Sequence, residues 1–403
     1  MLAHGLVHTY ELTLPILAVG SVWGATFPAT TLPGLGTVET TLFVLGVVVS
    51  GGYALFGLGA LPGGLLADAY GSRPLIVASL VGMGGSFVLL AFAPSLPVVA
   101  ACLLIWGISA SVYHPAGLSL ISKGVQQRGT AFAYHGIAGN IGIGVGPLVA
   151  ALLLFFLGDW RLAVGLLGVP ALLAAAVAAR VDIDETAAAT DDNARASGDV
   201  GSLAEFFTSS RRLLLGPFVL VFVVVICSGL YYRGFLTFLP ELLGRFDSLS
   251  PIALAGRTIE PSRYVYVGLL TAGVAGQYLG GRLTDAIPAE RGLAAGYTVL
   301  GVLALGYLPV ARTGLGPLLV VSAVMGVALF AVQPFYQATV AEYSPAGTRG
   351  LSYGYTYLGV FGVGALGGAV AGGLLTVAGP ATLFGVLAAI AALAAGLSMY
   401  LIR

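Results

Sequence analysis

Charge is what this chain lacks most. Asp, Glu, Lys and Arg make up 8% of its 403 residues, against about 25% in a soluble globular domain. Hydrophobic residues make up 58%, more than a soluble fold of this size can hide. Acids and bases balance at seventeen each, and only one of the bases is a lysine. No basic excess exists for a nucleic-acid partner. Cysteine is nearly absent: Cys102 and Cys227 both sit in apolar runs and read as small packing residues. Four histidines beside two such cysteines give no metal-ligand spacing, so neither a metal nor a cofactor is expected. A Gly-rich ATPase-type phosphate loop is missing, which points to a gradient rather than ATP as the energy source. The first segment lacks the basic start and small-residue cleavage site of a signal peptide and reads as a retained span.

Long apolar runs are what the sequence has in plenty. Twelve are long enough to cross a bilayer, at roughly 2–22, 40–67, 74–93, 97–122, 130–156, 162–179, 213–243, 264–285, 292–310, 317–341, 350–376 and 380–402. In lipid a backbone must satisfy its own hydrogen bonds, so these runs are helices and the fold class is an all-α membrane protein. One stretch stands apart. Residues 181–212 hold seven of the seventeen acids and start without apolar periodicity. They read as a cytoplasmic linker between bundles of six helices at 1–180 and 213–403, with a short interfacial helix at its end. With the N-terminus inside, inner segments carry eleven basic residues and outer loops five. That bias predicts both termini in the cytoplasm of a multi-pass protein of the cell membrane.

Two segments repeat. Gly64, Leu66 and Asp68 in "GGLLADAYGSR" recur 217 positions later as Gly281, Leu283 and Asp285. Gly107, His114 and Pro115 align with Gly326, Gln333 and Pro334 at an offset of 219. Two near-equal offsets imply duplicated halves, the arrangement of a rocking transporter with its site between them.

These residues resemble the major facilitator superfamily. Gly64 to Arg73 is similar to its signature between helices two and three, with Ala69 and Ser72 replacing two of the usual residues. "GNIGIGVGPLVAA" (139–151), with Gly142, Gly146 and Pro147, resembles its helix-five antiporter motif without the closing Gly-Gly. "AHGLVHTYELTLPIL" (3–17), "SVYHPAG" (111–117) and "YYRGFLTFLPELL" (231–243) resemble the fosmidomycin-resistance branch, which exports a phosphonate antibiotic or related compounds. His4, Tyr10 and Pro15 match the first-helix pattern of that branch, whereas His8 and Glu11 stand where its Asn-Asp pair would not. The resemblance implies twelve helices in two pseudo-symmetric bundles, small-molecule cargo and alternating access.

Polar groups inside the spans are the candidate site. Arg233 follows a long apolar run, and burying it costs at least about 2.5–3.5 kcal/mol. It is an anchor for an organic anion, one half of an internal ion pair with Glu11 as a candidate partner, or a residue placed nearer the outer surface. Glu11 is a candidate proton carrier, and His8 lies one turn before it. His114, beside the helix-kinking Pro115, is expected to face the cavity, with Gln333 its neutral counterpart and Tyr336 and Tyr232 near it. His4 is near the terminus, and His135 reads as structural. Asp68 and Arg73, with Gly64 and Gly71, are expected to latch the inner face, mirrored by Asp285. The function this predicts is proton-coupled export of a small organic anion or drug-like compound by a monomer. Uptake of a sugar or carboxylate, and a non-transporting membrane sensor, are the alternatives.

Overall fold

A computed structural model describes residues 1–32, 36–185, 187, 203–345 and 348–402. Twelve helical segments among them follow the apolar runs. We label them α1 Leu2–Leu17, α2 Leu42–Ala67, α3 Ser72–Leu90, α4 Leu96–Gly124, α5 Arg128–Leu157, α6 Trp160–Ala178, α7 Phe218–Leu236, α8 Pro261–Thr284, α9 Ala289–Ala311, α10 Leu315–Glu342, α11 Gly350–Val377 and α12 Pro380–Leu401. Ten of them, all but α1 and α8, are long and apolar enough to cross a membrane by length and composition. A helix at Leu203–Leu214 precedes α7, where the amphipathic stretch was expected. Most of the remaining linker lies outside the described residues.

Local chemistry sets the ends. Thr41 caps α2 by accepting from the Val44 N–H, and Asp159 caps α6 by accepting from the Arg161 N–H at 2.7 Å. Pro261 and Pro380 open α8 and α12, where a missing N–H costs nothing. Gly71 makes the turn between α2 and α3 at φ +84°, a conformation that favours glycine. Two boundaries differ from the sequence reading. The first span stops at Leu17 rather than near 22, and a π-turn at Gly20–Gly24 follows it. The seventh is Phe218–Leu236, with Leu239–Leu243 a separate short helix that has Pro240 in its first turn. Two short hairpins, Ala29–Leu32 with Gly36–Glu39 and Ile252–Leu254 with Arg257–Ile259, occupy loops at the end opposite the termini.

The repeat has a physical basis. Gly107 of α4 sits against the Gly52 carbonyl of α2, and a Cβ there would lie 2.1 Å from it. Its counterpart Gly326 of α10 meets the Leu269 carbonyl of α8 in the same way, at 2.2 Å. Residues 52 and 269 are again 217 apart (269 − 52). Between the bundles α2 lies on α11, where Ser50 donates to the Ala365 carbonyl at 2.6 Å and accepts from the Ala369 N–H at 3.0 Å. Far from the termini, the Gly20 N–H reaches Glu241, the Phe43 N–H reaches Thr376, and Arg257 reaches the Phe156 carbonyl. Each of these three bonds joins one bundle to the other. The end of the molecule away from the termini is therefore shut.

Candidate functional site

The site is built on a defect in α1. Pro15 has no N–H, so the carbonyl of Glu11, four residues earlier, loses its helical partner. Tyr53 of α2 supplies one, donating its hydroxyl at 2.7 Å. Tyr266 of α8, from the other bundle, donates to the next carbonyl, that of Leu12, at 3.1 Å. Helix α1 is thus pinned from both sides at the residue that carries its only acid.

Arg233, in the last turn of α7, meets the Glu11 carboxylate through Nη2. The two side chains belong to different bundles, and each residue is only 1% exposed. The Tyr53 ring lies beneath the guanidinium, 3.6 Å from Cζ to the ring centre, and Tyr232 flanks it at 5.3 Å. A planar, weakly hydrated cation tolerates such surroundings better than an ammonium would. Among the described residues, Arg233 Nε is buried without a hydrogen-bond partner. The guanidinium therefore keeps a donor in reserve.

The other Glu11 oxygen accepts from His8 Nδ1 at 2.6 Å. His8 Nε2 faces His4 Nε2 at 3.1 Å, and His4 Nδ1 donates to the His135 carbonyl at 2.7 Å. The His4 ring stacks on His135 at 3.7 Å and meets the edge of His114 at 5.1 Å. All four histidines of the chain therefore lie together, beside the one ion pair between fully buried side chains among the described residues. The sequence placed His8 next to Glu11 through helical spacing. It left His4 aside although that residue lies one turn before His8 on the same helix, and it did not bring His114 and His135 into the group, because α1, α4 and α5 meet only in three dimensions. Tyr53 was missed for the same reason.

The helix-five motif explains how they meet. Gly142 lies on the Gly5 carbonyl and Gly146 on Thr9, with built Cβ positions 2.0 and 2.5 Å from those atoms. Small residues let α5 approach the α1 backbone this closely, and Pro147 follows in the same helix. The motif thereby sets α1 in place.

The other expected residues are more dispersed. His114 is buried on α4, its ring 5.2 Å from Tyr357 of α11. Gln333 and Tyr336 flank Pro334 on α10, Tyr336 buried and Gln333 half-buried, and among the described residues no hydrogen bond links them to the array. Arg73 donates to the Ala178 and Ala179 carbonyls at the end of α6, at 3.1 and 2.8 Å. Glu185 accepts from the Ser72 and Arg73 N–H groups and caps α3. In this conformation Arg73 therefore works within its own bundle. The Asp68 side chain lies outside the described residues. Gly64 has open space where a Cβ would stand, Gly71 makes the turn, and Asp285 is the exposed C-cap of α8.

A family model described as Major Facilitator Superfamily matches residues 14–354. The uncharacterized MFS-type transporter Rv0849 of Mycobacterium tuberculosis is 36% identical over 103 residues, covering 25% of this chain and 24% of that protein. The probable actinorhodin transporter of Streptomyces coelicolor is 32% identical over 174 residues, 42% of this chain and 29% of that one. In both cases the match spans well under two thirds of the relative's length. Among solved structures, the xylose transporter XylE from E. coli in its inward-open conformation superposes with a TM-score of 0.73 at 15% identity, covering 100% of this chain and 94% of that one. At that identity the likeness is one of fold.

Proposed function

The chain belongs to the major facilitator superfamily, and from that premise we propose that it exports a small organic anion or drug-like compound across the cell membrane in exchange for protons. One observation carries the reading: the buried Glu11–Arg233 pair joins the two bundles beside the only histidines of the chain. Alternating access needs the bundles to part at one end as they close at the other. The pair lies across the plane where they part. An arriving carboxylate, phosphate or phosphonate competes with Glu11 for the guanidinium and finds the unpartnered Nε available. A proton on Glu11 neutralises the carboxylate and frees Arg233 for that anion. His8, already bonded to Glu11, passes the proton, and His114, Tyr232, Gln333 and Tyr336 complete the substrate surface.

A transporter is favoured by the name of the Streptomyces relative, and export by the likeness of α1, α4 and α7 to the fosmidomycin-resistance branch. An anionic cargo is favoured by Arg233 and by the likeness of α1, α4 and α7 to the fosmidomycin-resistance branch. Both termini lie in the cytoplasm in this reading, so the shut end faces outward. One chain suffices, because it holds both bundles. Asp68 and Arg73, hinged at Gly64 and Gly71 and mirrored at Asp285, latch the inner face when the molecule turns outward.

The test is proton movement in proteoliposomes on adding phosphonates, carboxylates, sugars or cationic dyes. Anions alone should drive it, Arg233→Ala should abolish it, and Asp68→Asn should slow it. Proton movement with sugars or cations, unchanged in Arg233→Ala, would rule the reading out.

A further inference from the structure

The facing histidine nitrogens pose a problem of hydrogen positions. A backbone carbonyl only accepts, so His4 Nδ1, 2.7 Å from the His135 carbonyl, must carry a proton. The Glu11 carboxylate that meets Arg233 accepts from His8 Nδ1 at 2.6 Å, so that nitrogen is the donor of its ring. In neutral imidazoles both Nε2 atoms are then bare lone pairs, and they stand 3.1 Å apart. Two acceptors do not bond to each other. Something positive has to lie between them.

We propose that His4, His8 and His114 form a binding site for one divalent transition-metal ion of the zinc type. Three features support it. The first is spacing: nitrogens at about 2.0–2.1 Å from a tetrahedral ion lie about 3.3 Å from one another. The His4–His8 pair is already near that value, as expected for ligands at i and i+4 on one helix face. The second is the third ligand. His114 is 95% buried (5% exposed) and its Nδ1 has no hydrogen-bond partner among the described residues. One ligand nitrogen from each of the three histidines lies within 4.8 Å of the others. Binding draws the His114 nitrogen in from that distance. The third is the surrounding shell. Metal-bound histidines donate their other N–H to a carboxylate or a backbone carbonyl, which fixes tautomer and orientation. His8 does so to Glu11 and His4 to the His135 carbonyl.

Three neutral nitrogens suit Zn2+, Co2+ or Ni2+ and leave a fourth position for water or an anion. Entry is through His8, whose side chain is 15% exposed while those of Glu11 and Arg233 are nearly closed off at 2%. All three ligands come from the N-terminal bundle, α1 giving two and α4 one. The ion is connected through His8 and Glu11 to Arg233, and so to the pair that joins the bundles. The site shares His8 and His114 with the proton path and substrate surface proposed above, so an ion bound there blocks the His8 relay, while its existence does not depend on the direction or cargo of transport. Sequence spacing alone gave no metal motif, because the third ligand comes from a helix more than a hundred residues away.

The experiment is titration of the full-length protein, purified in detergent without a histidine tag, with Zn2+ and Co2+. The proposal expects saturable binding of one Zn2+ per chain. It also expects the intense visible bands of tetrahedral Co2+, bleached by Zn2+. His8→Ala and His114→Ala should each abolish those bands. Each should also weaken Zn2+ binding beyond the roughly 10–100-fold that loss of an outer partner costs. The wild-type Co2+ spectrum needs no variant, so misfolding of a mutant leaves the test intact. Absence of one-equivalent binding, or only the pale spectrum of octahedral Co2+, overturns the proposal and leaves a shared proton between the two nitrogens. Loss in His8→Ala with none in His114→Ala overturns the three-histidine site.

Discussion

Arg233 and Glu11 were both conspicuous in the sequence, since each is an ion within an apolar stretch. Their pairing was one of three readings open there, and the structure brings them into contact. What the sequence could not supply was the aromatic floor, because Tyr53 is one of eighteen tyrosines and no spacing rule ties it to residue 233. The convergence of the histidines was hidden in the same way. Only the His4–His8 interval is readable along one helix, while His114 and His135 arrive by tertiary packing. The buried pair makes a prediction at this scale. Removing one partner strands an uncompensated charge and costs about 3–5 kcal/mol, whereas replacing both with apolar residues of similar size is close to neutral. Arg233→Met and Glu11→Leu should each lower the unfolding midpoint in detergent, and the double variant should recover most of the loss. A double variant as unstable as the two single losses added together would show that the pair is not what holds these side chains.

Helices were the most legible elements, because a bilayer-length apolar run admits little else. Their ends were less so. The halt of α1 at Leu17 and the break after Leu236 depend on proline placement and on what packs nearby. The two loop hairpins were not read, since three- and four-residue strands carry too short a pattern to register. Glycine told more in the structure than in the sequence. The chain has sixty glycines, and their surroundings differ sharply. A Cβ on Gly57 of α2 would stand 2.0 Å from the Gly362 backbone nitrogen of α11, while one on Gly64 would meet nothing within 4 Å. Gly57→Val should therefore force α2 from α11, giving a polydisperse, inactive protein on size-exclusion chromatography. Gly64→Ala should elute and melt as the wild type. The reverse pattern would mean that the α2–α11 seam is placed differently.

At the scale of the whole molecule, the 217-residue interval seen in the motifs reappears in the backbone contacts of residues 52 and 269. The architecture was thus legible from the repeat and from composition. The state of the molecule was not, because a sequence carries no record of which end is shut. The structure shows the end away from the termini closed by three bonds between the bundles. The central claim is that the Glu11–Arg233 pair between those bundles couples proton to cargo. Its most direct test is a comparison of two readouts in Glu11→Gln proteoliposomes, using a radiolabelled phosphonate or carboxylate that the wild type moves. Without a titrating carboxylate, counterflow of the anion should persist while anion-driven proton movement disappears. Proton movement at the wild-type rate in Glu11→Gln would contradict the account and place coupling elsewhere in the molecule.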